Sequence, residues 1–364
     1  MKLPVPDYIL SIKPYVAGKP LEELEREYGI TDAIKLASNE NPLGPSPLAV
    51  EAIHAAVEKL NRYPDAGGYE MTQCIAEKLN LTADCIVLGN GSDDIIALLA
   101  CAVLNPGDEV VLPRPSFLFY EISLRSAGAI PVWVPLKSNA IDLEGMQQKI
   151  TPRTRLVFLN VPFNPTGSIL SKTEFEKFVS AVPPHVVVVL DEAYIEFVRD
   201  SDCVRSLDYI ESGHHIVGMR TFSKAYGLAG LRVGYGIMSA ELAELLNRVR
   251  QPFNVNSLAQ VAAMAALKDD GFLQKTIQLV HEELDFFYVS LTRLGIEYLP
   301  SQANFLMINV GQPANDVFER LLKQGVIVRS MASYNYPEFI RVNIGLHSEN
   351  VRFLQALETV LSGG

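Results

Sequence analysis

The chain has 364 residues, 48% of them hydrophobic, which can bury a large core and exceeds the roughly 100–200 residues of one ordinary domain, so a large domain and a smaller one are expected. A formal net charge of -11 excludes long-range attraction to nucleic acid or to an anionic membrane, so a phosphate-bearing ligand must be held by local groups. The opening stretch MKLPVPDYILSIKPYV carries prolines inside its apolar run, and the longest apolar window, IIALLACAVL, is about half the ~18–20 residues of a membrane span, so a cytoplasmic protein is expected.

Residues 1–40 are short on periodicity and rich in turn formers, as in KLASNENPLGPSP. They cannot build a core alone and are expected to cross a domain junction, where ligand sites form. From Cys85 onward, short β-branched runs alternate with helix-period segments, the pattern of parallel βαβ units. CIVLG precedes SDDIIALLACAVL, DEVVLP precedes SFLFYEISLRSAG, RLVFLN precedes SKTEFEKFVSAV, and HVVVVLD, HHIVGMR and VGYGIM follow. The apolar density of VVVVL fits a strand covered on both faces, as in a doubly wound sheet. Further on, LAQVAAMAALKDDGFLQKTIQLVHEELDFFYVSLTRLG predicts long helices, the last ending at Gly295. FLMINV, VFERLLKQG, VIVRS, FIRVNIG and SENVRFLQALETVL then predict a small α+β domain. The expected division is an N-terminal segment 1–40 joining the small domain, a large domain 41–275 and a small domain 276–364. The four cysteines form no C-x-x-C pair, which predicts reduced, mostly buried thiols and no metal site.

Ligands of open α/β sheets bind beyond the carboxyl ends of the strands, so the residues just after each strand carry the information. GNGSDD follows CIVL, and the first amides of the helix it opens, at Ser92 and Asp93, can face a phosphate; a plain N-cap is the alternative. Asn164 precedes Pro165 after RLVFLN, where it is a turn former and a candidate ligand. Asp191 ends the VVVVL strand, with Tyr194 three residues on; a buried carboxylate there is costly unless it faces a cation. In RTFSKAYGLAGLRVGY, Lys224 follows Ser223 among small and apolar residues, where burial would depress its pKa and free its amine as a nucleophile. Arg232 lies eight positions further on. Taken one by one, each has a bland reading as a cap, a turn or a solvated charge.

Together they are the parts needed to hold pyridoxal 5'-phosphate. Asp191 would pair with the pyridinium nitrogen, and Asn164 and Tyr194 with the phenolic oxygen. Lys224 would anchor the cofactor and shuttle a proton, while Arg232 with the Ser92 and Asp93 turn would take the phosphate. SKAYGLAGLRVGY, NPTG and DEAY, in that order, resemble the motifs of the fold-type I aminotransferases. KPYVAGKP, KLASNENPLGPSP, RYPD, GNGSDDII, RPSFLFY, VIVRSM and FIRVNIG resemble, more narrowly, the histidinol-phosphate aminotransferase family over nearly the whole chain. Two departures are Ala17, where proline is usual, and Asp94, where glutamate is usual.

The resemblance implies an α/β fold: a large domain with a mostly parallel seven-stranded sheet plus a smaller α+β domain. It implies transamination between histidinol phosphate and 2-oxoglutarate, in a homodimer whose Tyr63 reaches the cofactor phosphate of the other subunit. Ser223 joins the cofactor-binding set, and Phe117 falls where an aromatic ring stacks on the cofactor, keeping the stacking of the usual tyrosine without its hydroxyl. Arg329 and Arg341 match the arginines that bind substrate anions, and Tyr15 is a candidate substrate contact. Aromatic amino acid aminotransferases and threonine-phosphate decarboxylases share the scaffold. A non-catalytic ligand sensor on this fold would need a basic DNA-binding module, which so acidic a chain is not expected to carry.

Overall fold

The computed structural model describes residues 4–14 and 21–363. Its strands are β1 (Ile34–Lys35), β2 (Ile86–Gly89), β3 (Glu109–Arg114), β4 (Ile130–Pro135), β5 (Thr154–Asn160), β6 (Val187–Asp191) and β7 (Ile216–Thr221). They continue with β8 (Gly234–Ile237), β9 (Tyr298–Leu299), β10 (Phe305–Asn309), β11 (Val326–Ile327), β12 (Arg329–Ser330) and β13 (Phe339–Asn343).

A seven-stranded sheet runs in the order β2-β8-β7-β6-β5-β3-β4. Its neighbours are parallel except where β8 pairs antiparallel with β2 and with β7. Every residue of β6 is buried, because helices cover both faces; that is why VVVVL reads as an unbroken apolar run. One strand of this sheet escaped the sequence pattern. IPVWVP forms β4, half-exposed at the sheet edge, where Pro131 pairs opposite Val110 on a strand with no neighbour on its other side, the position at which a sheet tolerates proline.

The register puts the functional strand ends on one side. Asn160 lies opposite Asp191, and Thr221 and Gly89 both lie opposite Gly234. The ends of β2, β5, β6 and β7 therefore open together at the carboxyl edge of the sheet.

The smaller sheet has the order β12-β13-β10-β9. It packs with helices Asp270–Arg293, Ala314–Leu322 and His347–Ser362 around Phe287, Phe305, Leu321 and Phe353. VIVRS, expected as one strand, serves two sheets: Val326 and Ile327 pair in parallel with β1, while Arg329 and Ser330 pair antiparallel with β13. The break at Val328 lets one segment pair with β1 and places Arg329 opposite Arg341. Tyr194 and Ala225 of the large domain sit in the small domain's core, so the two units share a packed junction. Helix Asp270–Arg293 runs unbroken through residues 275 and 276 and spans about 36 Å at 1.5 Å per residue.

The expectation of mostly buried thiols is corrected. All four cysteines are free, but only Cys203 is buried, while Cys74 and Cys85 are half-buried and Cys101 is exposed. Among the described residues no helix is long and apolar enough to cross a membrane.

Candidate active site

At the end of β2 the chain turns through Gly91, whose φ of +80° only glycine adopts freely, into helix Ser92–Val103. The N-cap is Gly91 and no side chain caps this helix, so neither Ser92 nor Asp93 spends itself on the cap. Two missing side chains keep the turn open. A Cβ on Gly91 would stand 2.5 Å from Arg232 Nη2, and one on Gly234 would stand 2.5 Å from the Ser92 nitrogen. Arg232 reaches back over the turn, its Nη2 3.2 Å from Asp93 Oδ2 and its Nη1 donating to Ser223 Oγ at 3.3 Å. The result is a small concave cradle of amides and a guanidinium, suited to a phosphate.

Asp191, buried at the end of β6, accepts from the Ala193 amide at 3.2 Å and from the Tyr120 hydroxyl. Burial pushes its carboxyl up to about 6, while the Tyr120 hydrogen bond holds it down. Asn160 ties the two strand ends: its Nδ2 donates to the Asp191 carbonyl at 2.9 Å, and its Oδ1 accepts from the Asn164 amide at 2.7 Å. Tyr120 and Asn160 were not found from sequence. The available signal for Tyr120 was its position three residues after Phe117 on helix Leu118–Ser126, together with the need of a buried phenol for a partner.

Lys224 is half-buried on the cavity wall, its Nζ donating to the Ser38 carbonyl at 3.0 Å. Burial first, and then the Arg341 charge, pull the amine down to about 8. Tyr194 Oη accepts from Asn39 Nδ2 at 2.9 Å, and burial pushes this phenol up to about 12. Across the site, Arg341 Nη1 donates to Asn164 Oδ1 at 2.6 Å and Nη2 to the Ala37 carbonyl at 3.0 Å. The guanidinium lies over the Phe305 ring at 5.2 Å, which fixes its plane.

These groups line two adjoining hollows. One, of about 270 Å³, gathers Ser92, Asp93, Phe117, Asn164, Asp191, Tyr194, Ser223, Lys224 and Arg232. The other, of about 120 Å³, adds Arg329, Tyr334 and Arg341. Phe117, Asn164, Tyr194 and Lys224 belong to both, so the amine stands between the Arg232 cradle and the hollow that holds Arg329 and Arg341. A roomier surface hollow of about 600 Å³ beside Lys137–Gln147 shares no residue with them. Tyr63 lies outside both hollows: it is 82% exposed and stacks on Phe253 at 4.6 Å. Tyr15 falls outside the described residues.

A buried acid, an amine with a lowered pKa and an anion cradle meet at the carboxyl edge of this sheet, and the chain belongs to the class I and II aminotransferases. The model of that family, aminotransferase class I and II, matches residues 31–357. The chain is 47% identical to histidinol-phosphate aminotransferase of Moorella thermoacetica, covering 97% of this chain and 92% of that one. It is 48% identical to histidinol-phosphate aminotransferase 2 of Carboxydothermus hydrogenoformans, covering 96% and 97%. The crystal structure of histidinol-phosphate aminotransferase from Sinorhizobium meliloti in complex with pyridoxal-5'-phosphate superposes with a TM-score of 0.91 at 28% identity, covering 100% and 99%. The chain belongs to the histidinol-phosphate aminotransferase family.

Proposed function

We propose that this chain moves the amino group of histidinol phosphate to 2-oxoglutarate, giving imidazole-acetol phosphate and glutamate, with pyridoxal 5'-phosphate as its cofactor. The observation that carries the reading is the position of Lys224, shared by a hollow ending in the Arg232 cradle and a hollow ending in Arg341. The residues fit the cofactor: the space a Cβ would take at Gly91 and Gly234 leaves the Ser92 amide open to a phosphate. When bound, the cofactor supplies an electron sink that makes the substrate's Cα–H bond acidic.

The chain's own groups do the rest. The Ser92 and Asp93 amides, Ser223 and Arg232 bind the phosphate. Asp191 would pair with the ring nitrogen, where a carboxylate favours the protonated ring. Asn164, its Oδ1 engaged by Arg341, would offer its amide donor, with Tyr194, to the ring's phenolic oxygen. Phe117, lining both hollows, would stack on one face of the ring. Lys224 Nζ would anchor the cofactor and, when free, could accept and return the proton at the substrate's Cα. Arg341 and Arg329 take the substrate anion. Glutamate carries two carboxylates, whereas histidinol phosphate carries a phosphate and no α-carboxylate, and planar guanidinium groups pair bidentately with either.

We further infer a homodimer in which the exposed Tyr63 reaches the cradle of a second copy; sedimentation as a monomer would remove that reading. In this scheme residues 41–275 hold the cofactor, while 276–364 with 1–40 close over the substrate. The four free cysteines fit work in the reducing cytoplasm.

The test is a half-reaction. Cofactor-loaded protein is mixed separately with histidinol phosphate, phenylalanine and threonine phosphate, and the visible band of the lysine-linked cofactor is followed. Rapid bleaching by the first alone is expected. Preferential bleaching by phenylalanine, or carbon dioxide release from threonine phosphate, would overturn the substrate assignment.

A further inference from the structure

We propose that Asn39 is a positioning residue that fixes the direction of the Tyr194 phenol proton, aiming it into the site. The proposal deepens the function above and rests on it.

Asn39 lies in the SNEN turn at φ +54°, a left-handed conformation that asparagine tolerates better than most side chains. It is 1% exposed and is held from three separate parts of the chain. Its backbone amide donates to Asn343 Oδ1 at 3.2 Å, and its carbonyl accepts from Asn304 Nδ2 at 3.1 Å. Its side-chain Nδ2 donates to Tyr194 Oη at 2.9 Å. Its Oδ1 is buried without a hydrogen-bond partner among the described residues, and Asn39 lines the hollow that holds Arg329, Tyr334 and Arg341. The backbone bonds seat the residue, which leaves the amide free for one task.

A phenol has a single proton and can also accept hydrogen bonds. Accepting from Asn39 uses a lone pair and sends the O–H elsewhere, and the open direction is the cavity, since Tyr194 lines both hollows. Arg341 does the same to Asn164 from the other side by occupying its Oδ1. Two donors are thus set toward the oxygen that the reading above assigns to the cofactor ring. Donors at that oxygen favour its anionic form, which lowers the midpoint at which the lysine-linked cofactor loses its proton. Arg341, Glu40, Asp93 and Arg232 face Lys224, and Arg341, Asp191 and Tyr334 face Tyr194. They stay unchanged in the comparison below.

The experiment is a pH titration of the visible band of cofactor-loaded protein without substrate. Asn39→Asp presents only acceptors when ionised and should turn the phenol proton away, raising the midpoint by about 1 unit. Asn39→Gly suits the left-handed backbone, so the fold is retained; it should raise the midpoint less. In a Tyr194→Phe background the Asn39→Asp shift should fall by at least half, leaving only the charge effect. Midpoints of both variants within about 0.2 unit of the parent, or an Asn39→Asp shift of equal size in the Tyr194→Phe background, would overturn the proposal. If the parent shows no visible band, the cofactor reading itself fails.

Discussion

In the cofactor-free protein the Lys224 amine should titrate near pH 8, where a solvated lysine titrates at 10.5. Burial is the largest cause, and Arg341 and Arg232 add to it against the opposing pull of Glu40 and Asp93. At pH 8 half of the Lys224 side chains would carry a free amine, against about 0.3% for a solvated lysine, a roughly 150-fold excess of nucleophile. An amine-directed acylating reagent, with the modified lysine identified by mass spectrometry at each pH, reads this directly. Arg341→Gln should move the midpoint upward by about 0.5–1 unit, because the second-largest cause of the depression is gone. The sign extends to stability. The unfolded chain holds this proton up to 10.5, so the native contribution of Lys224 is greatest above that pH and is lost as pH falls through 8. A labelling midpoint above pH 10, or one unmoved by Arg341→Gln, would refute the reasoning.

Two further substitutions probe the supports of the site. Tyr120→Phe removes a donor to the buried Asp191 carboxylate, a bond worth about 1.5–3 kcal/mol. It should lower kcat about ten- to hundredfold with KM little changed. Because that bond holds the Asp191 carboxyl down, infrared titration of the cofactor-free variant should find it above its parent value of about 6. An unchanged kcat would show that Tyr120 is packing alone. Gly234→Ala would drive a Cβ to 2.5 Å from the Ser92 nitrogen and 2.8 Å from the Arg220 carbonyl oxygen, both backbone atoms that cannot swing aside. It should cost about 1–3 kcal/mol in thermal or denaturant unfolding and weaken protection by inorganic phosphate. Parent-like melting would mean that the turn relaxes more freely than its contacts imply.

Much of this molecule is legible along the chain because the signals are local. A run such as VVVVL needs only its own residues to declare a strand covered on both faces. The glycines of GNG and the small residues around Lys224 declare tight turns before any tertiary contact is known. The residues singled out after β2, β5, β6 and β7 line one cavity because parallel strands end on one side, a rule that the alternating pattern already carries. The edge strand β4 was not legible, since its prolines argue against a strand until the sheet's last position is known. The division of VIVRS between two sheets depended on β1, a two-residue strand from the far end of the chain with no periodicity to show.

The finer chemistry lay wholly in the packing. Tyr120 meets Asp191 across 71 positions, Asn39 meets Tyr194 across 155, and Arg341 meets Asn164 across 177. In sequence, a tyrosine at helix spacing reads as core and an asparagine in a turn reads as a turn former. Which atoms donate and which accept is decided only when both domains close around their cores and bring those segments within 3 Å or so of each other. The sequence by itself determined the chemical groups and the strand ends that carry them. The tertiary structure decided their partners, because a hydrogen bond's direction depends on groups that the chain brings together from far apart.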